Sequence, residues 1–298
     1  MMKLRKALIP AAGLGTRLFP ASKALKKELF PIVDQHGIAK PVIQFNIEEA
    51  LDAGCDEIGI IIQPEDEPIF RNYFDALPEK FHERYMKDQL NARIEAELNA
   101  LSEKICYIHQ SEQEGFGHAV HCARQWVDGE PFLLMLGDHL FKSSISKSCA
   151  QQLVDVFHKY GGTVSGAKVT PSEMLQYFGT LTGELIDQEN RIFEVTQLVE
   201  KPSIEYARQN LQVEGLPPDE FLCFLGMHIF DNRIFDMLEY EISRNIRQRG
   251  EFQLTTAQER LRANDGKYYA IEIQGERFDI GIPLEYKRTM AQFSEPIA

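Results

Sequence analysis

The stretch Ala7-Leu8-Ile9-Pro10-Ala11-Ala12-Gly13-Leu14-Gly15-Thr16-Arg17 decides the fold. Residues 7–11 read as a buried strand, and the chain then passes into a turn of small residues. Glycines let a backbone approach a phosphate closely, and successive N–H groups there converge on an anion. A dinucleotide-binding fingerprint would need a third glycine at position 18, which is Leu18. Asp34 stands at a tempting distance for that reading, but Pro31 beside it disfavours an interior strand. A P-loop is excluded because no Gly-Lys-Ser/Thr ending follows. A structural glycine turn is the plain alternative; Arg17 and then Lys27, two cations able to reach one polyphosphate, favour the phosphate loop.

Working outward, apolar runs alternate with longer amphipathic stretches. Strands are expected at residues 57–63, 104–110 and 132–136, and helices at 41–53, 79–102 and 117–126. Strands separated by helices of this length imply right-handed βαβ units and a mainly parallel sheet. After about residue 160 the texture becomes β-rich, with short strands expected at 163–170, 179–185, 191–200, 221–230 and 268–273 and helices at 232–244 and 252–264. The expected architecture is α/β: a Rossmann-like, mainly parallel mixed sheet flanked by helices, with a β-rich elaboration for a second substrate. Residues 1–298 read as one domain, with a nucleotide-binding half at 1–160 and a sugar-binding and C-terminal half at 161–298.

Composition narrows the class. The chain has 298 residues, 44% hydrophobic and 26% charged, as in a folded globular protein. No apolar run has the length of a membrane span. Lys3, Arg5 and Lys6 ahead of residues 7–15 have the outline of a secretory leader, but Pro10 and Arg17 make that segment a poor one. Five widely spaced cysteines without a Cys-x-x-Cys pair suit reduced thiols in a cytoplasmic enzyme. A net charge of −13 argues against general nucleic-acid binding, yet residues 1–27 hold seven Lys or Arg and no Asp or Glu. That concentration of charge suits an anionic ligand.

Gly13-Leu14-Gly15-Thr16-Arg17, followed by Pro20, Lys27-Glu28 and Pro31, resembles the signature of the bacterial UTP–glucose-1-phosphate uridylyltransferases, within the wider sugar-nucleotide pyrophosphorylases. The resemblance continues in order along almost the whole chain. Gln110 with Gly115-Phe116-Gly117-His118-Ala119 is similar to the nucleobase-binding segment, and Asp138 to the metal aspartate. Tyr177-Phe178-Gly179, Val199-Glu200-Lys201-Pro202, Gly250-Glu251-Phe252-Gln253-Leu254-Thr255 and Phe278-Asp279-Ile280-Gly281 follow.

The resemblance implies that UTP and glucose 1-phosphate are joined by attack of the sugar phosphate on the α-phosphorus, assisted by Mg²⁺. A phosphate monoester is a usable nucleophile near neutral pH, so positioning and charge neutralisation dominate and no general base is needed. It further implies that residues 11–16 (Ala11, Ala12, Gly13, Leu14, Gly15, Thr16) cradle the nucleotide, with Arg17 on its β and γ phosphates. Lys27 would bridge the α-phosphate and the incoming sugar phosphate; the plain alternative is a solvated surface lysine like Lys23 or Lys26. Asp138 and Asp279 would hold Mg²⁺, Gln110 would read the uracil edge, and Gly115 would leave room for the base. Lys201 would bind the sugar phosphate and Glu200 its hydroxyls, with Gly179 allowing close approach.

His118, His121 and Cys122 share helical spacing but find no matching ligand pair elsewhere, so zinc is set aside. Glu65-Asp66-Glu67 reads as a solvated loop. Residues 35–40 make a longer turn than the family's, and Gly137-Asp138-His139 departs from the commoner wording, with a structural role expected for His139. A dTTP-dependent thymidylyltransferase, a catalytically silent regulatory paralogue and a nicotinamide-dependent oxidoreductase are the rival functions. The family also implies a homodimer or homotetramer.

Overall fold

The computed structural model describes residues 3–265 and 267–295. The strands are β1 (Lys6–Pro10), β2 (Pro31–Val33), β3 (Ala39–Pro41), β4 (Glu57–Ile62), β5 (Ile105–His109), β6 (Phe132–Met135) and β7 (His139–Ser143). In the second half come β8 (Thr163–Pro171), β9 (Gly179–Asp187), β10 (Ile192–Glu200), β11 (Glu220–Phe230), β12 (Tyr268–Glu272) and β13 (Gly275–Asp279). One mixed sheet runs β5-β4-β1-β6-β11-β8-β12-β10-β9.

Its first four strands are all parallel. Both of their faces are covered, which is why β1, β4 and β6 read as unbroken apolar runs rather than alternating ones. Ala7, Ile9, Ile58, Ile60 and Leu133 pack towards the helices Val42–Asp52 and Cys149–Tyr160. Leu8, Ile61 and Leu134 pack the other way, towards Phe116–Cys122 and Arg233–Ser243. Parallel strands under helices place their carboxyl ends, and the loops that follow them, along one edge.

The long strand β11 changes the character of the sheet. It runs antiparallel to β6 through Met227–Phe230 and antiparallel to β9 through Leu222 and Cys223. With β8 on its other side, the pairing with β9 closes a ring, β11-β8-β12-β10-β9, around Leu181, Phe193, Leu222, Phe224 and Tyr268. This is the β-rich elaboration the sequence announces, and it shares β11 with the parallel half.

Several elements differ from expectation. The helix expected over 79–102 is two helices, Glu79–Tyr85 and Gln89–Ser102. The break falls where Asp88 caps the second helix by accepting from the Leu90 and Asn91 amides, a competing local bond that ends one helix and starts the next. The stretch expected as a helix over 117–126 is likewise Phe116–Cys122 and Arg124–Val127. Glu65 and Asp66 lie in a short turn and Glu67 opens the helix Glu67–Phe74, so that acidic run is a helix start rather than a solvated loop. Acidic residues there suit the positive end of the helix dipole. Asp34 accepts from the His36 and Ile38 amides and shapes the hairpin between β2 and β3. Of the extra residues 35–40, residues 35–38 form a tight turn and 39–40 begin β3. Among the described residues no helix is long and apolar enough to cross a membrane.

Glu49 supplies a stability prediction. It accepts from the Ala150 amide at the start of Cys149–Tyr160, and burial pushes its carboxyl up to about 7. An acid whose folded pKa is raised binds more protons folded than unfolded, so stability falls as pH rises from the ordinary glutamate range towards 7. Glu49→Gln is expected to remove that slope, worth up to about 3 kcal/mol, when urea midpoints at pH 5 and pH 8 are compared. An unchanged slope would overturn the assignment.

Candidate active site

The carboxyl ends of β1, β5 and β6 and the mouth of the ring enclose one cleft of 780 Å³. That lies within the usual range for a small-molecule site, roughly 300–1,000 Å³. Every expected site residue except Ala11 lines it: Ala12, Gly13, Leu14, Gly15, Thr16, Arg17, Lys27, Gln110, Gly115, Asp138, Gly179, Glu200, Lys201 and Asp279. Ala11 is buried beneath, its amide bonded to the Ile61 carbonyl, and it anchors the loop.

Local bonds fix the glycine loop from below. Gly15 takes the left-handed conformation (φ 63°) and starts the turn Thr16–Leu18 that carries exposed Arg17. Gln63 and Gln113 both donate to the Ala12 carbonyl, at 3.1 and 2.7 Å. Lys26 donates to the Gly13 carbonyl and pairs with Asp66 at 2.8 Å. It is thus a latch on the loop and not the solvated lysine expected.

Lys27 reaches into the cleft, where its ammonium meets Asp138 Oδ2 at 2.5 Å and Glu28 Oε1 at 3.7 Å. Burial alone would lower its pKa, but the Asp138, Glu28 and Asp279 carboxylates outweigh that and hold it above the ordinary lysine range. Burial likewise opposes ionisation of Asp138, yet the Lys27 ammonium holds that carboxyl well below the carboxylate range. Both groups are therefore charged across the working pH range. Glu28 is enclosed, and burial pushes it up to about 7 despite Lys27.

Asp138 follows β6 by three residues, while Asp279 ends β13 and pairs across the β7–β13 ribbon with His139. The ribbon brings together two aspartates far apart in sequence. Gly281 shows how closely they approach: a Cβ there would stand 2.8 Å from Asp138 Oδ2 and 3.0 Å from Asp279 Oδ1. The Ile280 amide donates to the Asp138 carbonyl and the Gly281 amide to Asp279 Oδ1. Two carboxylates brought this close, each with a second oxygen uncommitted, are a fitting donor set for a hard divalent cation.

Gln110 is buried at the end of β5, and its amide nitrogen donates to the Gly115 carbonyl and faces His118 Nδ1 at 3.1 Å. With those donors turned inward, its oxygen is what remains to read a base. Gly115 has φ 116°, and a Cβ there would fall 2.7 Å from both Glu251 Cβ and the Phe252 carbonyl oxygen. The glycine is demanded by the segment 251–252 packed on it, a different reason from the room for a base that was expected. Across the cleft, Gly179 and Glu200 are cross-strand partners of β9 and β10. A Cβ on Gly179 would stand 2.6 Å from the Phe224 ring and 3.1 Å from Glu200 Oε2. Thr255 donates to Glu200 at 2.7 Å, and Lys201 lies 3.2 Å from Glu200 Oε1.

Sequence reasoning missed Arg277. It lies two residues before Asp279 on β13, the spacing that puts both on one face, and that alternation is the only signal that could have found it. Its guanidinium donates to the Phe224 carbonyl at 2.9 Å and stacks on the Phe178 ring. Burial pulls its pKa below the ordinary arginine value.

A glycine-rich loop at the end of β1, a buried lysine and two ribbon-held aspartates define a nucleotide-handling transferase. The chain belongs to the nucleotidyl transferase family, whose model matches residues 6–293. Two relatives are each a UTP–glucose-1-phosphate uridylyltransferase. The one from Staphylococcus haemolyticus is 35% identical over 296 residues, spanning 99% of this chain and 93% of its own length. The one from Bacillus subtilis is 35% identical over 296 residues, spanning 99% and 92%. A solved UDP-glucose pyrophosphorylase complexed with UDP-glucose superposes with a TM-score of 0.77 at 26% identity, covering 98% of each chain.

Proposed function

We propose that this chain joins UTP to glucose 1-phosphate, releasing UDP-glucose and pyrophosphate. The observation that carries the proposal is a single cleft lined at once by the glycine loop, by Lys27 held between Asp138 and Glu28, and by Glu200 and Lys201. The relatives' shared activity supplies the choice of substrates.

The sugar-phosphate oxygen forms a bond to the α-phosphorus of UTP. The bond from that phosphorus to the bridging oxygen breaks, and its electrons leave on pyrophosphate. Loop amides of residues 12–16 receive the triphosphate, and Arg17 neutralises its outer phosphates. Lys27 sits where the attacking phosphate and the α-phosphate meet, drawing two anions into contact that would otherwise repel. Gln110 and the Gly115 backbone receive the base, while Glu200, Lys201 and the close approach at Gly179 receive the sugar phosphate. Asp138 and Asp279 would hold Mg²⁺, which supplies charge neutralisation at the phosphates when bound.

The experiment that tests this is pyrophosphate release with UTP, dTTP, CTP, ATP or GTP, each with glucose 1-phosphate and Mg²⁺ and with single omissions. Release only when UTP, sugar phosphate and metal are all present is the expected result. Preference for dTTP would keep the mechanism and reassign the base. No release from folded protein with any nucleotide would overturn the proposal in favour of a silent paralogue.

A further inference from the structure

His139 is enclosed, only 6% exposed, yet the described residues offer no hydrogen-bond partner to its ring. Nδ1 is buried without a partner, facing Gly226, where an added Cβ would stand 2.7 Å away. Nε2 faces the two site carboxylates, 4.0 Å from Asp138 Oδ1 and 3.8 Å from Asp279 Oδ2. Those separations exceed hydrogen-bond range. Nδ1 alone is sealed off; Nε2 borders the cleft, and the space between it and the two carboxylates can receive a group.

The commitments of the four carboxylate oxygens say what. Asp138 Oδ2 is taken by Lys27, and Asp279 Oδ1 by the Gly281 amide. The remaining oxygens, Asp138 Oδ1 and Asp279 Oδ2, are the two that face Nε2. Two donors bound to one ion at about 2.1 Å each can be no more than about 4.2 Å apart. Both Nε2 separations, 4.0 and 3.8 Å, lie inside that limit. No three His, Cys, Asp or Glu side chains among the described residues already close around an ion-sized point. The unused donors nonetheless face one another across a gap that one ion can bridge. A water there would satisfy hydrogen bonding, but two carboxylates and an imidazole lone pair present three acceptors, a set that favours a cation.

We infer that His139 is a third, nitrogen ligand to the divalent ion at Asp138 and Asp279, and that it turns this site towards Mn²⁺ or another first-row transition ion. The inference rests on the nucleotidyl-transfer reading. Oxygen-only sites suit Mg²⁺, whereas an imidazole favours later divalent metals. The residue next to Asp138 thereby becomes a selector of metal rather than the structural histidine expected.

The test is pulsed electron paramagnetic resonance of Mn²⁺ bound to the full chain with UTP. Nitrogen modulation from a coordinated imidazole is expected beside phosphorus coupling from the nucleotide, and ¹⁵N-histidine labelling should change its frequency. His139→Gln is expected to abolish that modulation and weaken Mn²⁺ about 10- to 100-fold, with a much smaller change for Mg²⁺. Phosphorus coupling without nitrogen would overturn the role of His139 and leave the transferase reading standing. Neither coupling would overturn both, and nitrogen modulation persisting in His139→Gln would assign it to another residue. The labelled native protein gives the answer even if the variant fails to fold.

Discussion

Lys27→Ala is expected to lower the turnover number for pyrophosphate release by about 10²- to 10³-fold, the scale on which a preorganised charge in a closed site acts. The same change should destabilise the protein by about 3–5 kcal/mol, since removing one member of a buried pair leaves the other uncompensated. Lys27 has only 15% of its side chain exposed, and Asp138 Oδ2 stands 2.5 Å from its ammonium. Glu28 would lose the cation that partly offsets its burial and stay protonated to higher pH. Lys23→Ala is the control, since Lys23 is exposed. Steady-state assays and urea titrations of the two variants measure both effects. Full turnover in Lys27→Ala would remove the lysine from the mechanism.

The fold was legible where one local pattern dictates one structure. Residues 58–62 and 132–136 carry no polar side chain because the parallel strands built from them are covered on both faces. Turn residues likewise gave the short strands of the second half. What was not legible is where a side chain competes with the pattern. Asp88 splits a continuous helical period with a cap, and Glu67 opens a helix that composition presents as charged loop. The closure of β8–β12 into a ring is also invisible in sequence, because it depends on a pairing of β11 with β9 that no local signal encodes.

In the site, motifs located nearly every lining residue but not the forces on it. Gln110 and Gly115 line the cleft as expected, yet Gln110 spends its donors on Gly115 and His118, and Gly115 yields to the 251–252 backbone. Lys26 differs from exposed Lys23 only through Asp66 and the Gly13 carbonyl. Pairing between distant segments decides such roles, and a single sequence carries little of it.

Asp138→Asn carries the second large effect, and a double variant separates its two causes. A metal at a phosphoryl centre contributes several kcal/mol, so loss of this carboxylate should cost roughly a thousandfold in turnover. Asparagine keeps the shape but leaves the Lys27 ammonium with Glu28 as its nearest counterion, so the single variant should also lose stability. The native carboxyl is held well below its ordinary range. Its contribution is therefore complete above the unfolded value, about 4, and is lost as pH falls towards the folded one; Asp138→Asn should lack that acid limb. Lys27→Met with Asp138→Asn removes both members of the pair. Stability should then return to within about 1 kcal/mol of the native chain, since replacing a buried pair outright is often neutral, while turnover is not restored. Urea midpoints of the four proteins at pH 6, where Glu28 is largely protonated, yield the coupling energy. A value of about 3 kcal/mol or more is expected, at the upper end for groups in contact. Strict additivity would mean that Lys27 and Asp138 are not energetically joined, and their shared place in the transfer step would then lose its support.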